Sequence, residues 1–65
     1  MASKQEIEND IRRFLQNEFY TENKSDSVAR RMQEAAAKYA FDKYPEVKNV
    51  SVKVNWFGET EIVIS

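Results

Sequence analysis

Residues 50–64, Val50-Ser51-Val52-Lys53-Val54-Asn55-Trp56-Phe57-Gly58-Glu59-Thr60-Glu61-Ile62-Val63-Ile64, decide the fold. Val50, Val52 and Val54 alternate with Ser51, Lys53 and Asn55, and Thr60, Ile62 and Ile64 alternate with Glu61 and Val63. A period of two marks strands with one buried face. Parity then sets the register. A two-residue loop would oppose even positions to odd ones and place Val54 against Glu61. A three-residue loop, Trp56-Phe57-Gly58, pairs Val54 with Thr60, Val52 with Ile62 and Val50 with Ile64. It also puts Gly58 at the loop position that needs a left-handed backbone, and sets Lys53 opposite Glu61 on the outer face. The expected strands cover residues 48–55 and 59–65.

Working back from the hairpin, the composition changes near Pro45. Residues 47–65 hold eight Val, Ile or Thr, whereas residues 1–46 hold four, and β-branched side chains favour strands. The first part is therefore expected to be helical. Pro45 pushes Tyr44 out of the α region, ending a helix expected over 26–43. Val28, Met32, Ala35, Ala36, Tyr39 and Ala40 share one face of it, and the alanines permit close approach of another element. Ala37, Phe41 and Tyr44 fall on the far side and are expected to meet the hairpin while the Val28 stripe meets the first helix.

That first helix is expected over 4–20. Ser3 and Glu6 have the spacing of a capping box, and Ile7, Ile11, Phe14, Leu15 and Phe19 recur as one apolar stripe. The polar run Thr21-Glu22-Asn23-Lys24-Ser25-Asp26-Ser27 separates the helices and supplies N-cap candidates at Ser25 and Asp26. The expectation is one α+β domain, residues 1–65, ordered helix, helix, strand, strand, with both helices on one face of a C-terminal antiparallel hairpin.

Composition restricts function by exclusion. The chain has no Cys and no His, which removes disulfides, thiolate nucleophiles, the usual zinc ligands and the commonest acid–base side chain near neutral pH. It lacks a Gly-rich phosphate loop and a Ser-His-Asp set, so no catalytic residue, cofactor, metal or small-molecule substrate is expected. Glu6, Glu8 and Asp10 cluster where negative charge suits a helix start, and are read as such rather than as metal ligands. Glu18 projects onto the apolar side of its helix and is expected, lying at the helix end, to reach water or an Arg of the second helix. No run of apolar residues is long enough for a membrane span or a signal peptide, so the expected location is the cytoplasm. In size and self-contained style the chain resembles phage and mobile-element accessory proteins, a likeness of style and not of residues.

What remains points to contact with protein. A chain of 65 residues has little interior in which to bury its apolar groups, and short chains without disulfides or metal often complete that burial against a second copy or another protein. A homo-oligomer is the first expectation. Two strands leave open edges that invite a further strand. At least one of Trp56 and Phe57 should stay exposed at the turn, as aromatic anchors of interfaces do before binding. The candidate protein-binding residues are Trp56, Phe57, Phe41, Tyr44 and Tyr20. The function expected is a non-enzymatic interaction module, either a self-assembling subunit or a small binder of a larger protein, using the hairpin edge and the aromatic tip.

The alternative is a small dimeric nucleic-acid binder using Arg12, Arg13, Arg30, Arg31 and Lys38. Charge spacing favours it less. Arg30, Glu34, Lys38 and Asp42 alternate in sign at i,i+4, Glu8 precedes Arg12 by four, and the net charge is −1, the pattern of a solvated, ion-paired face.

Overall fold

The computed structural model describes residues 2–22 and 25–65. The chain runs α1 (Lys4–Glu18), α2 (Asp26–Lys43), β1 (Val50–Val54) and β2 (Thr60–Ile64), two helices followed by a two-stranded antiparallel hairpin. In the connection between the helices, Asn23 and Lys24 lie outside the described residues.

Each helix starts at the expected cap. Ser3 Oγ accepts the Glu6 amide at 3.2 Å and donates to the Glu6 carboxylate at 3.2 Å, while Ser25 Oγ accepts the Val28 amide at 3.3 Å. These caps satisfy amides that have no partner inside the helix. α1 ends two residues short of the expected position 20. Phe19 leaves helical geometry with its amide still on the Leu15 carbonyl, and its ring turns into the core while Tyr20 is left in solvent. α2 ends where Pro45 requires, with Tyr44 at φ −126° and ψ 82°.

The hairpin has the register set by parity: Val50 opposite Ile64, Val52 opposite Ile62, and Val54 opposite Thr60. Lys53 stands across from Glu61. Regular strands begin at Val50 rather than 48, although the Lys48 and Asn49 amides both donate to the Ser65 carbonyl at 2.9 Å and carry the pairing outward.

α2 lies over β1 and α1 over β2. Ile7, Ile11, Leu15 and Phe19 from α1, Val28, Met32, Ala36 and Ala40 from α2, and Val50, Val52, Ile62 and Ile64 from the hairpin form the core, closed by Val47. Among the described residues, no charged or polar one is buried with them. Ala36 and Ala40 are wholly enclosed, which brings the α2 backbone close to its neighbours. Phe14 sits at the margin, stacked on Tyr39 at 4.2 Å between ring centroids and 9° between planes.

The far side of α2 departs from expectation at Phe41. Tyr44 packs against the core cluster, and its hydroxyl, beyond the end of the helix, donates to Asp10 of α1. Phe41 is 45% exposed and only Ala37, of the three far-side residues, joins Tyr44 in packing against the core cluster. The helix is therefore covered by α1 and β1 on adjoining faces, with Phe41 left outside.

Candidate protein-binding surface

The hairpin loop is built to hold two aromatic rings in water. Gly58 takes φ +83° and its amide donates to the Asn55 carbonyl at 2.9 Å, closing a tight turn through Trp56 and Phe57. The Asn55 side-chain oxygen accepts the Phe57 amide at 3.0 Å and the Glu59 amide at 2.9 Å. Below the turn, the Asn55 amide donates to the Glu59 carbonyl at 2.9 Å. Asn and Gly thus fix the loop backbone from inside it, each by the property that suits it to turns. The two rings are then neighbours on the outside. Their centroids are 3.9 Å apart at 30° between planes, with Trp56 87% and Phe57 67% exposed. Neither ring folds back over the helices.

This loop lies beside the start of α2. A hollow of about 530 Å³ is lined by Ser25, Asp26, Ala29, Val54 and the loop residues Asn55–Gly58. Tyr20, 85% exposed, follows α1 into the same end of the molecule. Three of the five expected contact aromatics therefore share one end. Phe41 and Tyr44 belong to the other, since α2 is 18 residues long and a helix advances about 1.5 Å per residue. Tyr44 is half-buried there and committed to Asp10.

The Asp10 cluster was not foreseen. Asp10 accepts the Tyr39 hydroxyl at 2.9 Å, accepts the Tyr44 hydroxyl on its other oxygen, and pairs with Lys43 Nζ at 2.7 Å. Lys43 also donates to the Tyr39 oxygen at 3.2 Å. Lys43, then the Tyr44 hydroxyl, push the Asp10 carboxyl down from the usual 3.8 to about 2. The same contact with Asp10 raises Lys43 and Tyr44 above their ordinary values. Each member is occupied by the others, so the cluster ties α1 to the end of α2.

The edges of the hairpin differ from each other. Asn49 and Ser65 exchange both backbone hydrogen bonds, at 2.9 and 3.0 Å, so odd-numbered residues pair inward and even-numbered ones direct their N–H and C=O outward. On β1 two of those outward groups meet Gln33 of α2. Its amide Nε2 donates to the Val50 carbonyl at 2.6 Å, and its Oε1 accepts the Val52 amide. The expectation of two open edges therefore holds in full for β2, while on β1 Gln33 takes the Val50 carbonyl and the Val52 amide. No periodicity in the sequence marks Gln33, because a single polar residue at the border of an apolar face reads as solvent-exposed.

The basic residues are dispersed. Arg12 borders a cleft with Glu59 and Thr60, and Arg13 shares a hollow with Glu6, Asn9 and Asp10. Arg30 lies near Val52 and Lys53, and Lys38 lies by Phe14 and Tyr39. Arg31 pairs with Glu22 at 2.9 Å and covers the Phe19 ring at 5.5 Å. Five positive side chains in five settings do not make the continuous stripe that tracks a phosphate backbone. Glu18 is exposed. Among the described residues, no helix is long and apolar enough to cross a membrane.

Comparison with protein-family models, curated proteins and solved structures finds no match to this chain.

Proposed function

We infer that this chain is a non-enzymatic protein–protein interaction module acting in the cytoplasm, and that its contact surface is the aromatic end formed by Trp56, Phe57 and Tyr20. The observation that supports the reading is the Trp56–Phe57 pair, exposed and in mutual contact on a turn already held by Asn55 and Gly58. Solvent exposure of two large adjoining rings is costly to leave uncovered, and a backbone ordered in advance loses little entropy when a partner arrives. Trp and Tyr are also the residues most enriched where binding energy concentrates.

Two modes of use fit that surface: self-assembly, or occlusion of a larger protein. Sedimentation over a range of concentrations separates them, since only a self-associating chain changes mass on dilution. Trp56 is the sole tryptophan, so its fluorescence reports directly on the surface. On complex formation its emission should shift to the blue and its quenching by acrylamide should fall. Trp56→Ala and Phe57→Ala should each weaken association at least tenfold while the circular dichroism of the free chain stays the same. Association at wild-type strength in both variants would refute the assignment.

A further inference from the structure

The two helices cover more width than the hairpin beneath them. Packed helices lie about 8–10 Å apart and each is about 10 Å across, whereas strands are about 4.8 Å apart. Two helices side by side therefore roof roughly three to four strands, and here they roof two. On the β1 side Gln33 fills the overhang and takes two of the outward backbone groups, the Val50 carbonyl and the Val52 amide. On the β2 side, Thr60, Ile62 and Ile64 present three donors and three acceptors that no side chain takes among the described residues. A cleft of about 450 Å³ opens there between α1 and the start of β2. Arg12, Leu15 and Gln16 form its upper wall, Gly58, Glu59 and Thr60 its lower one, and Met32 its back.

We propose that the β2 edge accepts an extended segment of a partner protein as a third strand. The segment runs antiparallel to β2, with apolar side chains where it pairs with Thr60, Ile62 and Ile64 and a basic side chain across from Glu61. The apolar side chains enter beneath α1, the last of them into the cleft against Leu15. The basic one meets Glu61, which makes no ion pair among the described residues. This is strand addition, in which main-chain hydrogen bonds supply affinity and alternate side chains supply selectivity. The inference rests on the reading of the chain as an interaction module but uses a different surface from the aromatic end. A second copy of this chain does not fit the edge. It would bring its own α1 over the same ground, setting four helices, roughly 40 Å of roof, on about 19 Å of sheet.

The test uses the full chain, labelled for NMR, and a capped synthetic peptide of sequence isoleucine-threonine-isoleucine-lysine-leucine. At saturation the amide signals of Thr60, Ile62 and Ile64 should shift and their hydrogen exchange should slow at least tenfold, with the Val54 amide unchanged. Methylating the peptide nitrogens of its three apolar residues should weaken binding at least tenfold, and replacing lysine by glutamate should weaken it several-fold. Thr60→Pro removes one outward donor at a site where a strand tolerates proline, and should cut peptide affinity at least tenfold with the dichroism of the chain intact. No shift at the solubility limit of the peptide would overturn the proposal, as would equal binding of the methylated peptide or shifts confined to Trp56 and Phe57. Binding to the Trp56→Ala chain should match the parent, so the edge and the aromatic end stand or fall separately.

Discussion

Asp10 accepts two tyrosine hydroxyls and a lysine ammonium, and each donor comes from the last two turns of α2 or just beyond them. Hydrogen bonds to a charged acceptor are stronger than neutral ones. A carboxyl held at about 2 in the folded chain against a usual 3.8 favours folding fully above the unfolded value, and that contribution is lost as pH falls through the folded one. Thermal unfolding should therefore show a midpoint that declines between about pH 4 and about pH 2. In Asp10→Asn that part of the acid decline should disappear, with stability near neutral pH lowered by about 1–2 kcal/mol. A variant whose acid limb matches the parent would mean that other carboxylates govern it. Lys43 and Tyr44 act at the other extreme. Their raised values contribute stability that is present below their unfolded pKa values and lost as pH rises through the folded ones. Gln33 belongs at this scale too, since one side-chain amide occupies part of the β1 edge and leaves β2 clear. Neither Asp10 nor Gln33 could be recognised from the sequence. Their partners lie 29 and 34 residues away for Asp10 and 17 and 19 for Gln33. Polar contacts across such separations leave no periodic trace.

At the level of elements, the hairpin was the most legible part of the chain because two independent constraints agreed on it. Alternation at Val50, Val52, Val54 and at Thr60, Ile62, Ile64 left one loop length consistent with parity, and the sole glycine occupied the position where that loop turns left-handed. The helices were legible in their apolar stripes and caps, less so in their ends. Phe19 was correctly placed in the core, yet its inward turn is what stops α1 and exposes Tyr20, and that depends on the shape of the cavity it fills. Gly58 isolates the backbone contribution of the turn. A Cβ added there meets nothing within 4 Å, so substitution costs only the left-handed conformation at φ +83°. Gly58→Ala should destabilise by about 1–2 kcal/mol, and Gly58→Asn by clearly less, because asparagine tolerates that region. Denaturant titration measures both. Equal losses for the two would show that strain at this position does not depend on the side chain, and that the turn is held another way.

The whole molecule, 33 Å by 19 Å by 17 Å, is long enough to keep folding and contact at different places. The core runs through its middle, from Ile7 and Ile64 to Phe19 and Val28, and the aromatic end projects past it. Sequence arithmetic suggested a chain unable to cover its apolar groups alone. The structure locates the uncovered ones at Trp56, Phe57, Tyr20, Phe41 and Val63, outside a core that encloses no polar residue among the described ones. Stability and association should then respond to different substitutions. Leu15→Ala and Ile11→Ala remove fully enclosed side chains and should cost about 2–5 kcal/mol, a large share of the total for any domain of this size. Trp56→Ala and Phe57→Ala remove rings that face water and should change unfolding free energy by no more than about 0.5 kcal/mol. Urea unfolding of the four variants at low protein concentration makes the comparison free of association. If Trp56→Ala proved as damaging as Leu15→Ala, the indole would be part of what holds the hairpin to the helices, and its exposure could not be read as a surface kept for a partner.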